Sequence, residues 1–148
     1  MEASTNIKFT QVNLKKAFIA NVELNRSLAG LANNVVLVTE PFNKNGKLCA
    51  TPPGANIISA SKNPRAAIFS QGIDIIVLDN LTTRDCAVGL LKANSESIII
   101  VSLYLDIKEA VVPLWLENII KFANKKSLPI IIGADTNAHS TMLSLIHI

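Results

Sequence analysis

Short apolar runs separated by polar segments recur along the chain. Four of them are almost purely aliphatic, at residues 35–38, 75–78, 98–101 and 130–132. Each is far shorter than the roughly 20 residues that a membrane-spanning helix needs. Runs of this length, rich in Val and Ile, are typical of buried strands. The pattern predicts strands at residues 7–13, 34–40, 55–60, 66–70, 74–78, 84–91, 97–105 and 128–134.

Two segments instead have the spacing of amphipathic helices. In residues 14–32 the apolar positions include Leu14, Leu24 and Leu28, and in residues 108–126 they include Trp115 and Ile119. Residues 42–54 contain Asn-Gly and Pro-Pro-Gly, which predict a long irregular loop. The resulting order is β-α-β, several short strands, then β-α-β. We therefore expect an α/β fold with mixed β-sheets flanked by helices.

The composition constrains the class of protein but does not identify its function. The chain has 148 residues, of which 49% are hydrophobic and 17% charged, and this suffices for one domain with a buried core. The formal net charge of +3 is compatible with a polyanionic ligand without requiring one. Cys49 and Cys86 have no metal-binding spacing, so we expect free thiols in a reducing, intracellular compartment. We expect no membrane association, and the oligomeric state is open.

Polar residues stand where predicted strands end. Asn13 and Glu40 end the first two strands, Tyr104 lies at the end of a later strand, and Asp135 and Asn137 follow the last one. Carboxylate and amide oxygens are the ligands that Mg²⁺ prefers, usually together with water. Each residue also has an ordinary structural interpretation: a solvated strand end for Glu40, an N-cap for Asn13, an Asx-turn for Asp135 and packing for Tyr104.

Taken together and in order, these segments resemble the endonuclease/exonuclease/phosphatase family. More narrowly, they resemble the apurinic-type endonuclease domain of non-LTR retrotransposon reverse transcriptases. The resemblance implies a DNase-I-like α/β sandwich and runs from about residue 7 to residue 142. Its motifs are Gln11-Val-Asn13-Leu, Val38-Thr-Glu40-Pro41, Pro64-Arg65-Ala-Ala-Ile, Val101-Ser-Leu-Tyr104 and Gly133-Ala-Asp135-Thr-Asn137-Ala-His139.

The resemblance implies a metal-dependent phosphodiesterase that nicks DNA. Glu40 would bind a divalent cation, Mg²⁺ or Mn²⁺, with Asn13 beside it. Asp135 would orient or activate the attacking water, and Asn137 would hold a phosphate oxygen. Tyr104 would stabilise the charge that develops at phosphorus. This division of roles agrees with what phosphoester cleavage requires.

Two further residues would contact nucleic acid. By the same resemblance, Arg65 would meet the DNA backbone. For His139, a substrate contact and an exposed loop histidine remain equal alternatives. The expected partners are thus DNA and a divalent metal, and a retrotransposon enzyme would act in the nucleus.

The chain departs from the family pattern toward its end. The usual Tyr-x-Pro reads Tyr104-Leu-Asp106, and no Ser-Asp-His motif, which supplies the family's catalytic histidine, occurs in the 148 residues. We expect residues 1–142 to form a partial domain that lacks the second sheet of the fold and is poorly soluble and inactive by itself. Residues 143–148 match the translation of one frame of a transposon-derived sequencing adaptor. We interpret them as a non-native tail, which sequencing across the Met142 codon would test.

Two alternatives remain open. One keeps the fold and changes the substrate, giving a phosphatase or phospholipid-hydrolase relative. The other is a non-catalytic α/β binding module in which the residues at the strand ends only cap structure.

Overall fold

Two β-sheets and two helices account for most of the chain. The computed structural model describes residues 6–93, 95–105, 114–135 and 141–146, and for Ala93, Asp135 and residues 141–146 it describes the backbone only. The first sheet has the order β1 (Lys8–Asn13), β2 (Asn34–Thr39), β6 (Ala66–Gln71), β5 (Asn56–Ser59). The second has the order β11 (Thr141–Ile146), β10 (Ile130–Asp135), β9 (Glu96–Tyr104), β8 (Cys86–Ala93), β7 (Ile75–Val77). A small hairpin pairs β3 (Asn43–Lys44) with β4 (Lys47–Leu48), and the helices are α1 (Phe18–Leu28) and α2 (Leu114–Lys126).

The sheets stack face to face, with one helix on each outer face. Strand β2 packs on both of its faces, because alternate side chains of a strand point to opposite faces of the sheet. Val35 and Leu37 pack in the core between the sheets, whereas Val36 and Val38 pack in the core under α1. A third core joins the outer face of the second sheet to Ile119 of α2. A strand buried on both faces needs a continuous apolar run, and this strand has one.

Each sheet contains a parallel pair. Strand β1 pairs with β2 in parallel, and β9 pairs with β10 in parallel, while the pairs that involve β5 to β8 are antiparallel. Helix α1 lies between β1 and β2 in the chain, and α2 lies between β9 and β10. The mixed α/β architecture predicted from the sequence is thus confirmed, together with eight of its strands to within a few residues.

Helix α1 is shorter than predicted, because the segment after Asn13 is turned rather than helical. Lys15 and Lys16 both have positive φ angles, 52° and 56°. Their N–H groups bond outside any helix, to the side-chain Oδ1 of Asn13 and to the carbonyl of Glu40 respectively. Residues 42–54 also differ from the prediction, since the Asn45-Gly46 turn closes the β3–β4 hairpin within them.

The expectation that the second sheet is missing was wrong. Five strands from Ile75 onward form it, and its inner face packs against the first sheet. Strand β11 pairs antiparallel with β10 and includes residues that the sequence interpretation assigned to a non-native tail. Over the described residues, neither helix is long and apolar enough to cross a membrane.

Candidate active site

The carboxyl ends of the two parallel pairs meet at one end of the sandwich. In the first sheet Asn13 is level with Thr39, and in the second Tyr104 is level with Asp135. Two hydrogen bonds join the sheets just before these ends: the Ser102 hydroxyl donates to the Val38 carbonyl at 2.9 Å, and the Gln11 amide donates to the Ala134 carbonyl at 2.7 Å. Carboxyl ends of parallel strands are the usual place for a site in α/β folds. We call this the site end.

Glu40 follows β2 in an unusual backbone conformation. Its φ is +48°, in the left-handed region that non-glycine residues seldom adopt. The surrounding chain fixes it there, because its N–H donates to the Arg65 carbonyl at 2.9 Å and its carbonyl accepts the Lys16 N–H at 2.8 Å. The side chain is half-buried, and no described residue gives its carboxylate a hydrogen bond or an ion pair. A residue fixed in this conformation by its neighbours, with its carboxylate at the site end, is a candidate for a functional role.

Asn13 lies beside Glu40 and does not cap a helix. Its Oδ1 accepts the N–H of Lys15 at 2.7 Å, and α1 begins five residues later, after Ala17, without a side-chain cap. The N-cap interpretation is therefore wrong. The site end thus carries an amide and a carboxylate on adjacent strand ends.

Tyr104 is buried at the end of β9, with 7% of its surface exposed. Its N–H donates to the Asp85 carbonyl at 2.8 Å. The guanidinium carbon of Arg65 lies 4.6 Å from the centre of its ring, which is within cation–π range. Arg65 also forms a two-pronged ion pair with Asp85, with Nε to Oδ1 at 2.5 Å and Nη2 to Oδ2 at 2.6 Å.

Asp85 is a residue that sequence reasoning missed. It stands in the polar segment Thr82–Asp85, where an aspartate normally indicates only a turn. A lone aspartate ahead of an apolar strand gave no signal that it would meet Arg65, twenty residues earlier. Only the stacking of the two sheets brings the pair together.

The remaining predicted residues lie at the end of β10 or after it. Asp135 is the last residue of that strand, and its backbone is level with Tyr104. Asn137 and His139 lie outside the described residues. Their predicted roles therefore stay predictions.

The donors at the site end suit a hard cation. Glu40 and Asn13 offer oxygen atoms, and one carboxylate completed by water is how proteins commonly hold Mg²⁺. Across the described part of the chain, no three His, Cys, Asp or Glu side chains converge into a closed metal cage. The oxygen donors of Glu40 and Asn13 thus fit an open Mg²⁺ or Mn²⁺ site.

Cys86, which follows Asp85, is not a nucleophile. Burial, and to a lesser extent the neighbouring Asp85 carboxylate, raise the pKa of its thiol to about 12. A thiol with so high a pKa stays protonated near neutrality and reacts slowly. Cysteine-based covalent catalysis is therefore excluded for this residue.

Comparison with known proteins bears on the fold. No protein-family model matches the sequence, and no curated protein matches it significantly. Among solved structures, the chain is similar to the endonuclease domain of TRAS1, a telomere-specific non-LTR retrotransposon, with a TM-score of 0.61 and 24% identity over 88% of this chain and 58% of that one. It is also similar to SmcL, a sphingomyelinase, with a TM-score of 0.57 and 16% identity over 90% of this chain and 64% of that one.

Both neighbours support the architecture derived from the strands. The chain spans less than two thirds of the length of either neighbour, and at these identities the likeness concerns the fold. The stacked mixed sheets with one helix on each outer face form a DNase-I-like α/β sandwich, so the chain has a DNase-I-like fold.

Proposed function

We propose that this chain is part of a metal-dependent phosphodiesterase, the DNA-nicking endonuclease domain of a non-LTR retrotransposon reverse transcriptase. One observation carries the proposal: the ends of two parallel strand pairs bring Asn13, Glu40, Tyr104 and Asp135 to the same end of a DNase-I-like sandwich. The likeness to the TRAS1 endonuclease domain favours DNA as the substrate. Such an enzyme acts in the nucleus.

Each side chain at the site end has a role that its chemistry allows. Glu40, with Asn13 beside it, holds the divalent cation, which when bound withdraws charge from the phosphate oxygens. Tyr104 presents its phenol toward the phosphate and stabilises the charge that develops there. Asp135 accepts a proton from the attacking water. Asn137 donates to a phosphate oxygen.

The first test is metal binding, since it does not require turnover. Mn²⁺ titration followed by electron paramagnetic resonance should detect one site in the 148-residue chain. Glu40→Gln should weaken that site strongly, whereas Glu23→Gln, on the exposed face of α1, should leave it unchanged. Binding that survives Glu40→Gln would contradict the proposal and favour the non-catalytic module.

The second test is substrate choice. Supercoiled plasmid and sphingomyelin vesicles, each with Mg²⁺, separate the nuclease from the lipid hydrolase that the likeness to SmcL keeps open. Because the 148 residues contain no Ser-Asp-His motif, we expect at most a trace of plasmid nicking, which Glu40→Gln abolishes, and no release of phosphocholine. Phosphocholine release without nicking would transfer the proposal to the lipid hydrolase.

A further inference from the structure

Arg65, Asp85 and Tyr104 form one cluster that crosses between the sheets. Arg65 immediately precedes β6 of the first sheet, whereas Asp85 immediately precedes β8 and Tyr104 ends β9 of the second. About a quarter of the Arg65 side chain and of the Asp85 side chain is exposed. The cluster therefore lies at the rim of the site end, partly shielded from solvent.

The ion pair has a defined geometry. Both oxygens of Asp85 accept from Arg65, which fixes the plane of the guanidinium as a single hydrogen bond would not. That group lies against the face of the Tyr104 ring. Holding the guanidinium plane therefore also restricts the ring on which it rests.

Backbone bonds connect the same three residues to Glu40. The Asp85 carbonyl accepts the Tyr104 N–H, the Arg84 carbonyl accepts the Arg65 N–H at 2.7 Å, and the Arg65 carbonyl accepts the Glu40 N–H. Asp85 thus contacts Tyr104 through its main chain and Arg65 through its side chain. A continuous path of short bonds runs from the buried tyrosine to the strained glutamate.

We propose that Asp85 is a positioning residue: its carboxylate holds Arg65 against Tyr104 and so fixes the direction of the Tyr104 phenol at the site end. The functional value of this orientation rests on the proposed phosphodiesterase activity, whereas the orientation itself does not. A site needs its groups held within a fraction of an ångström, and side chains locked by their neighbours supply that precision. The exposed Glu23–Arg26 pair, with a single contact at 3.5 Å, has no such consequence.

The test uses the fact that the chain has one tyrosine and one tryptophan. Tyrosine and tryptophan labelled with ¹³C in the ring each give one set of signals, so ring order is measurable by NMR relaxation for Tyr104 and for Trp115 of α2. The variants are Asp85→Asn, which keeps Arg65 and the side-chain shape, and the double variant Arg65→Ala/Asp85→Ala. Glu23→Gln is the matched control for loss of an ion pair.

We expect loss of Tyr104 ring order in Asp85→Asn and in the double variant, while Trp115 keeps its wild-type order and Glu23→Gln changes neither ring. The double variant matters because removing both charges leaves no unpaired buried ion, so stability recovers in part while the ring stays released. An unchanged Tyr104 ring in the two variants, or equal loosening of Trp115, would overturn the proposal.

A second arm separates this inference from the proposed function. Bound Mn²⁺ should speed relaxation of the Tyr104 ring signals in the wild type, and Asp85→Asn should alter that effect without weakening Mn²⁺ binding. If the wild type binds no Mn²⁺, the proposed function fails, and the metal-free ring order still decides whether Asp85 positions Tyr104.

Discussion

The two ends of the sandwich are held together in different ways. At the site end, polar contacts run from sheet to sheet through Ser102, Gln11 and the Arg65–Asp85 pair. At the far end, where β1 and β2 begin, the described side-chain hydrogen bonds stay within the first sheet and its loops. There Asn34 donates to Gln71 at 3.1 Å and the Lys8 N–H donates to the Asn33 carbonyl.

This difference shows what each end must achieve. Apolar packing holds the sheets together along their whole length but specifies their relative position loosely, since it is not directional. Hydrogen bonds between sheets add direction and fix which residues face each other. In this chain the hydrogen bonds between sheets lie at the site end, where the ends of two parallel strand pairs bring side chains together.

The largest expected effect is on metal binding at the site end. Glu40→Gln should weaken Mn²⁺ binding by more than the roughly 10–100-fold that loss of a ligand's hydrogen-bond partner costs, because a charged ligand itself is removed. Adding Asn34→Asp to the Glu40→Gln variant places a carboxylate at the far end, and we expect that it does not restore Mn²⁺ binding. Equal Mn²⁺ affinity in wild type and Glu40→Gln, measured by paramagnetic resonance, would erase the distinction between the ends.

Two glycines, one near each end, should respond unequally to a methyl group. A Cβ at Gly72 would lie 2.0 Å from the Ala32 carbonyl oxygen, and the φ of +73° adds strain. A Cβ at Gly133 would lie 2.5 Å from Leu37 Cδ1, which is the end of a side chain rather than backbone, and 3.1 Å from Leu37 Cβ. We expect Gly133→Ala to cost about 1–3 kcal/mol, as overpacking does, and Gly72→Ala to cost more. Urea unfolding measures both, and the reverse order would contradict this account.

One polar contact at each end of the sandwich can be removed by a single substitution. Asp85→Ala removes the ion pair from a partly buried Arg65, so we expect a loss of about 1–3 kcal/mol, below the cost for a fully buried pair because solvent screens it. Asn34→Ala removes one neutral hydrogen bond and should cost about 1 kcal/mol. Unfolding free energies from urea titrations give both values, with Glu23→Gln as the control near zero.

The smallest expected effect concerns the thiols. Half-buried Cys49 should react with a thiol reagent at pH 8, whereas buried Cys86 should react only on unfolding. Because the pKa of Cys86 is raised from 9.0 to about 12 in the folded state, its stabilising contribution is complete below pH 9 and is lost as the pH rises toward 12. Equal labelling rates for the two thiols would contradict this burial.

Much of this was predictable from local pattern. The apolar runs predicted the strands, because burial on both faces requires continuous Val and Ile. The spacing of apolar residues predicted α2 correctly over its described residues, Leu114–Lys126. The hairpin at Asn45-Gly46 was missed because its strands are two residues long and carry no periodicity. The start of α1 was misplaced because Lys15 and Lys16 bond to Asn13 and Glu40, a preference that no residue expresses by itself.

The sequence by itself determined the α/β class, the strand ends at Asn13, Glu40 and Tyr104, and their suitability for a hard cation, since these follow from residue type and spacing. The tertiary structure alone decided that Glu40 takes a left-handed backbone, that Asp85 binds Arg65, and that Arg65 rests on Tyr104. These contacts join residues far apart in the chain and in different sheets. These contacts form only when the two sheets stack, and the stacking cannot be predicted from the local sequence.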